Sequence, residues 1–339
     1  LPLKYLAASA SVIAVFALLT ASLLAEEYTI HVKTSPRLEA IRPLSEPTAV
    51  SILITAADGR PVQEGWVQIA LQAPQPGRWF STDFPLVEGT RLVDLRLELT
   101  RGEAEWRYLF PIRGEYVMTV DFVSPAGKAA SRVFKFAVSE RGTKWLFLAA
   151  FTAGLFALGF TSGRIFSPIR TGRPQRMIGC LVASCWSIAW AGGAGAVNAE
   201  GPPSSAGSLE IESAVVGRPA LVRWRLEREL PPNSRVALTL TITQLEKGIP
   251  VFAVEKVPVG QEFSMNFHFT DGAEHRLRAV AEIPGAPAAR VERVVPVTSA
   301  EPPTRAMLAP MVLFLAALSA GLAGGRWSRR GGRGTARPH

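Results

Sequence analysis

The stretch MNFHFTDGAEH (265–275) sets Met265, His268 and His275 close together. Thioether and imidazole are donors that suit copper, so copper handling is the chemistry this spacing suggests first. The alternation of the same stretch opposes it. Phe263, Met265, Phe267 and Phe269 share one face of a period-two pattern, and Met265 reads as core filler among them. His268 is one residue out of phase and points to the other face. His275, if it lies in phase with Leu277, Ala279 and Ala281, points inward and away from His268. A structural role is therefore expected for the histidines. A copper-handling module with His268, His275 and Met265 as ligands stands as the alternative, and no other cofactor is suggested.

Other chemistry finds less support. Of the four histidines, His31 has no neighbouring nucleophile and His339 is the last residue of the sequence. There is no Gly-x-Ser-x-Gly elbow, no His-Glu-x-x-His pair and no glycine-rich phosphate loop after a strand. The acidic residues are spread along alternating segments, as on a solvated face. The expectation is a protein without catalytic activity.

Two long regions must position whatever function there is. Two domains are expected at 27–143 and 200–304, and within them residues 27–140 and 205–298 alternate repeatedly at period two. Leu95, Leu97 and Leu99 alternate with Asp94, Arg96 and Glu98. Val222, Trp224 and Leu226 alternate with Arg223 and Arg225. Asp58-Gly59, Pro231-Pro232-Asn233 and Asp271-Gly272 punctuate them as turns. Each region has the size of a seven-strand antiparallel sandwich, so the fold expected is all-β in the exported regions with transmembrane α-helices beside them.

The regions also resemble each other. Residues 146–155, LFLAAFTAGL, return as LFLAALSAGL at 313–322. Upstream, Phe110–Tyr116 aligns with Phe269–His275, WVQIALQ (66–72) with RVALTLT (235–241), and Ser131-Arg-Val133 with Ala289-Arg-Val291. The same parts occur in the same order, which reads as a tandem repeat: hydrophobic leader, exported domain, membrane span, arginine-rich stop. In the first copy the positions of His268 and His275 hold Leu109 and Tyr116, so the repeat does not duplicate a metal site.

Nearly half the residues are apolar and 19% are charged, a balance that points to membrane segments. Four are expected: within 1–26 (a span or a signal anchor), 144–166, 177–199 (a span or an internal signal-like segment) and 305–325. The high pI resolves into local clusters. Arg164 stands at the end of the second segment, and Arg170, Arg173 and Arg176 follow it in a basic loop at 167–176. Arg326, Arg329, Arg330, Arg333 and Arg337 follow the fourth, in a tail at 326–339. Of 37 Lys and Arg, these nine and Lys4 account for ten, and the other 27 stand against 28 acidic residues. Basic residues flanking spans stay on the cytoplasmic side, so both long regions are expected on the far side of the membrane from the cytoplasm. Nucleic acid is not expected as a partner; the lipid bilayer and other membrane or periplasmic proteins are. The apolar segments hold no Asp, Glu or Lys in their interiors, which leaves a proton or ion path without a relay. Small residues recur within them at four-residue spacing: Ala149, Ala153 and Ala157, and Ala316, Ala320 and Gly324, with Gly321 and Gly325 as a further pair. Such rows let helices approach closely in lipid.

Ala57-Asp58-Gly59-Arg60-Pro61-Val62 followed by a strand resembles the hairpin of bacterial immunoglobulin-like domains. Phe267–His275 is similar to late strands of YtkA-like periplasmic sandwiches. The resemblance implies two membrane-anchored immunoglobulin-like β-sandwiches acting as accessory, assembly or scaffolding modules, some such domains being linked to copper. The large subunit of particulate methane monooxygenase resembles this chain in layout only. Its Asp-Trp-His-Val-His type of copper strand is replaced here by Gly-Glu-Tyr-Val-Met118.

Overall fold

Alternating β-branched and aromatic residues give fourteen strands in the computed structural model, which describes residues 28–77, 80–140, 142–166, 207–231 and 234–331. The first half of the chain supplies β1 (Tyr28–Ser35), β2 (Thr48–Ala56), β3 (Trp66–Gln72), β4 (Arg91–Glu98), β5 (Glu103–Tyr108), β6 (Gly114–Val123) and β7 (Ala129–Val138). The second supplies β8 (Gly207–Glu212), β9 (Pro219–Leu226), β10 (Val236–Gln244), β11 (Ile249–Val259), β12 (Glu262–His268), β13 (Glu274–Glu282) and β14 (Ala289–Pro296). Helix α1 (Thr143–Ile165) follows β7, and helix α2 (Thr304–Gly331) follows β14. Strands and helices fall into two separate compact units.

The strands form two seven-stranded sheets, and each sheet draws on both halves of the chain. One runs β1-β2-β5-β11-β10-β13-β14, the other β7-β6-β3-β4-β12-β9-β8, with the named strands pairing antiparallel throughout. The halves meet at two short ladders. Phe252, Ala253 and Val254 of β11 face Tyr108, Arg107 and Trp106 of β5. Met265, Asn266 and Phe267 of β12 face Leu95, Asp94 and Val93 of β4.

Period two decides what each strand buries. In β2, Thr48, Val50, Ile52 and Ile54 are buried; in β10, Val236, Leu238, Leu240 and Ile242 are. The core is continuous across both sheets and both halves. Aromatic rings bridge the sheets, with Phe252 of one 5.7 Å from Phe267 of the other, and Tyr108 6.5 Å from Phe267. Burying each such ring contributes about 2–3 kcal/mol. Gly114 starts β6 with φ 126°, and a Cβ there would lie 2.6 Å from the Pro74 ring, so only glycine fits that entry.

Both helices match apolar segments of the sequence, and α2 continues past residue 325 through Arg326, Arg329 and Arg330. Arginine is a good helix former, and positive charge at a helix C-terminus is favoured by its dipole. The segments 1–26 and 177–199, Cys180 and Cys185, and Arg170, Arg173, Arg176, Arg333 and Arg337 lie outside the described residues.

Candidate functional site

The Met265, His268 and His275 set does not assemble into a ligand sphere. Met265 pairs with Leu95 and Val222 and faces the core, 2% exposed. His268 belongs to the opposite face of β12. The parity that turns Phe267 and Val93 inward turns His268 and Leu92 outward, and both are nonetheless buried. Val87, also buried, lies on the long β3–β4 connection, with Phe84 and Leu86 packed against the core from the same segment. No hydrogen bond of ordinary geometry reaches either His268 ring nitrogen. Burial holds this imidazole below its ordinary pKa, and the backbone of Arg91 offsets part of that.

His275 lies on β13, in the other sheet, and its polar contacts are local. Its Nδ1–H donates to the Ala273 carbonyl at 2.9 Å. Nε2 is 3.6 Å from the Asp271 carboxylate, whose other oxygen accepts from the Gln244 amide. At that distance Nε2 and the carboxylate share no hydrogen bond; they form an ion pair only once the ring is protonated. Burial lowers the His275 pKa, while the Ala273 carbonyl, Asp271 and Glu246 pull it upward. Its ring meets Phe269 edge to face at 4.9 Å.

The aligned residues of the first half explain this arrangement. Tyr116 meets Phe110 edge to face at 5.0 Å. Its hydroxyl donates to the Ile112 carbonyl at 2.7 Å and accepts from the Ile112 N–H at 3.2 Å. Burial pushes the phenol well above its ordinary pKa, so it stays a donor. A ring that ties the start of a late strand back to the preceding loop is the device known as the tyrosine corner. His275 holds the same place with a shorter reach, bonding two residues back instead of four. These contacts fit a corner role for His275. Among the described residues, no group of three or more His, Cys, Asp or Glu lies close enough to hold a metal ion.

The small residues of the helices form a definite contact. Phe151 lies 5.1 Å from Phe314 at one end, and Arg329 Nη1 donates to the Arg164 carbonyl at 2.7 Å at the other, so α1 and α2 run parallel. Between these points the backbones touch. A Cβ on Gly159 would press on the Leu318 carbonyl and lie 3.1 Å from the Leu322 nitrogen. One on Gly163 would lie 3.0 Å from the Leu322 carbonyl carbon. In return, Gly321 faces Phe156 and Phe160, and Gly325 faces Phe160 and Arg164, each with no room for a side chain. Gly324 is looser, with a Cβ 3.6 Å from the Phe160 ring.

The alanine rows do not make this contact. Ala149, Ala153, Ala157, Ala316 and Ala320 face outward, and Gly159 and Gly163 take the place expected for the first three. An alanine methyl would part the backbones, whereas glycine lets them meet. The four-residue spacing of Gly159 and Gly163 is the sequence signal that marks this stripe. The near-identical stretches are also used differently: Gly154 of the first meets nothing within 4 Å, while its counterpart Gly321 is buried. Arg164 and Arg326 are exposed at the end where the helices stop.

No known family and no curated protein matches this sequence. Among solved structures, the PmoD soluble domain from Methylocystis is 16% identical, over 33% of this chain and 90% of that one, with a TM-score of 0.22. The tetra-tandem repeat of a large adhesion protein is 12% identical over 80% of this chain, with a TM-score of 0.22; this chain spans 49% of its length. A DUF4785 family protein from Legionella pneumophila is 11% identical, over 81% of this chain and 57% of that one, with a TM-score of 0.25.

Proposed function

We propose that this chain is a non-catalytic, membrane-anchored periplasmic accessory or scaffolding subunit of a bacterial inner-membrane complex, its sheets outside and the arginine clusters that follow its apolar segments inside. The observation that carries this reading is the parallel, glycine-packed helix pair whose basic residues concentrate at one end, Arg164, Arg326, Arg329 and Arg330 against Lys144 and Arg305 at the other. From Trp145 to Arg164 and from Met307 to Arg326 each helix advances about 28 Å at 1.5 Å per residue, which matches a hydrocarbon core. Phe147, Leu158, Met307 and Val312 are among its exposed side chains. Trp145 and Trp327, both exposed, stand at opposite ends, where interfacial tryptophans belong. Thr152 and Thr161 return their hydroxyls to the carbonyls of Leu148 and Leu158, as an apolar medium favours.

Parallel helices impose a topological condition. If both enter the bilayer from the side of the sheets, the chain between them returns across it, which supports a further crossing at 177–199. The strand order supports a tandem repeat of two immunoglobulin-like sandwiches. Exchanging β1 to β7 with β8 to β14 in sequence order converts one sheet order into the other, reversed. The paired corners at Tyr116 and His275 support it too. What supports a scaffolding role, with other membrane or periplasmic proteins as partners, is a well-packed sheet body in a chain with two candidate spans.

Copper handling is the second reading, and what favours it is the buried His268 imidazole, which no hydrogen bond of ordinary geometry reaches. The residues do not fit it, since Met265 and His268 lie on opposite faces of one strand.

The test places single cysteines at Asp58, in the β2–β3 turn, and at Arg326, in a chain whose own two cysteines are replaced by serine. In intact spheroplasts an impermeant maleimide should label the first and spare the second. The reverse pattern would refute the orientation, and purification in mild detergent without any stoichiometric membrane or periplasmic partner would refute the scaffolding role.

A further inference from the structure

We infer that the two halves of the sheet body are reciprocal binding partners, each presenting a surface made for the other, so that they stay assembled without the covalent link between them. The surface on the first half is the edge made by β4 and β5; on the second it is the edge made by β11 and β12. Eight large apolar side chains line the two ladders: Val93, Leu95, Trp106 and Tyr108 from one half, Phe252, Val254, Met265 and Phe267 from the other. All are 2% exposed or less.

The contact is more than two ladders of backbone. Trp106 and Phe252 meet across the first seam at 6.2 Å, and Tyr108 reaches Phe267 on the far sheet at 6.5 Å. The Leu109 N–H donates to the Val251 carbonyl at 3.0 Å, extending that ladder by a bond. Arg107 pairs with Glu255 at 3.3 Å, and Arg235 pairs with Glu98, so charges of opposite sign meet on both sides. The β3–β4 connection of the first half also reaches the β8–β9 turn of the second, where Leu86 lies against Gly217. Separated halves would each expose two unpaired inner strand edges and several aromatic side chains, each of which buries roughly 150–250 Å². Neither half is a finished surface.

If the halves are copies, as proposed above, the β5–β11 seam is the counterpart of β12–β4. The joint is then isologous, as between the subunits of a two-fold dimer. The inference itself needs only the observed pairings, and it is independent of membrane orientation and of any outside partner.

The test inserts a specific protease site between residues 166 and 207 of the full chain, tags each half differently, and adds Gly159→Leu and Gly321→Leu to open the helix pair. After cleavage in mild detergent the two halves should co-elute on size exclusion and each tag should retrieve the other. Arg107→Glu should weaken the cut complex roughly two- to five-fold, and Arg107→Glu with Glu255→Arg should restore it. Both residues are half exposed, so folding is spared, and the uncut variants should keep their β-sheet circular dichroism. Halves that separate once the helices are opened overturn the inference. So does a cut complex indifferent to the Arg107 reversal, or one that the double reversal fails to restore.

Discussion

Alanine at two glycines tests the helix pair most directly, because the structure sets the cost. Gly159→Ala places a methyl against the Leu318 carbonyl and 3.1 Å from the Leu322 nitrogen; Gly321→Ala places one against the Phe156 carbonyl and 2.9 Å from the Phe160 nitrogen. Ordinary contact needs about 3.5 Å or more, so the axes must separate by roughly 1 Å. Such overpacking costs about 1–3 kcal/mol. Alanine also gains about 1 kcal/mol in helix propensity, but equally in the packed and the parted state, so it does not offset the loss. At about 1.4 kcal/mol per factor of ten, the ratio of packed to parted helices should fall by about five- to a hundred-fold. Phe151→Cys and Phe314→Cys report it, since those rings are 5.1 Å apart, in a chain with Cys180 and Cys185 changed to serine. Oxidation in native membranes should link them quickly, and the double alanine variant should link at least several-fold more slowly. Gly154→Ala and Gly324→Ala, which meet open space or ordinary contact, should leave the rate unchanged. An unaltered rate in the double variant, or equal slowing by the controls, would refute a backbone-to-backbone crossing.

Three further outcomes concern the sheets. His268→Leu, which installs the residue that the first half carries at Leu109, should stabilise the protein by about 1–2 kcal/mol in denaturant unfolding, because it removes a buried imidazole that no hydrogen bond of ordinary geometry reaches; destabilisation would show that the Arg91 backbone satisfies the ring. Burial lowers the pKa of both His268 and His275 in the native state, so the unfolded chain takes up their protons first. Stability is then complete above about pH 6.5, falls as the pH drops below it, and levels off beneath the native pKa values. Unfolding midpoints from pH 8 to pH 5 should show that slope, and the double variant His268→Leu, His275→Phe should flatten it. Tyr116→Phe leaves the Ile112 N–H and carbonyl unpaired in the core, so unfolding free energy should drop by about 1–3 kcal/mol; a change near zero would remove the corner from the account.

Much of the fold lies open in the sequence because it is local. Period-two alternation around Leu95, Val222 and Met265 marks strands and their buried faces, and the apolar runs at 146–155 and 313–322 mark helices. The inward parity of Met265 and His275 is readable in the same way. So are the opposite faces taken by Met265 and His268, since residues three apart on a strand point to opposite sides. The burial of His268 is not readable. An outward-facing residue that is only 1% exposed is covered by tertiary packing, which period-two spacing around His268 does not record.

What the sequence determined by itself is the list of elements, their buried faces, the apolar length of the helices and the arginines that end them. Each follows from spacing along one chain segment, where geometry repeats every two or every 3.6 residues. Tertiary structure alone decided that strands of both halves share two sheets through β5–β11 and β4–β12. It alone set Gly159 and Gly163, in place of the alanine rows, against the expected Gly321 and Gly325 pair as the helix contact. Edge strands and helix stripes are alike in offering several possible partners, and the choice rests on which distant surfaces fill one another's volume without leaving a void or forcing a clash.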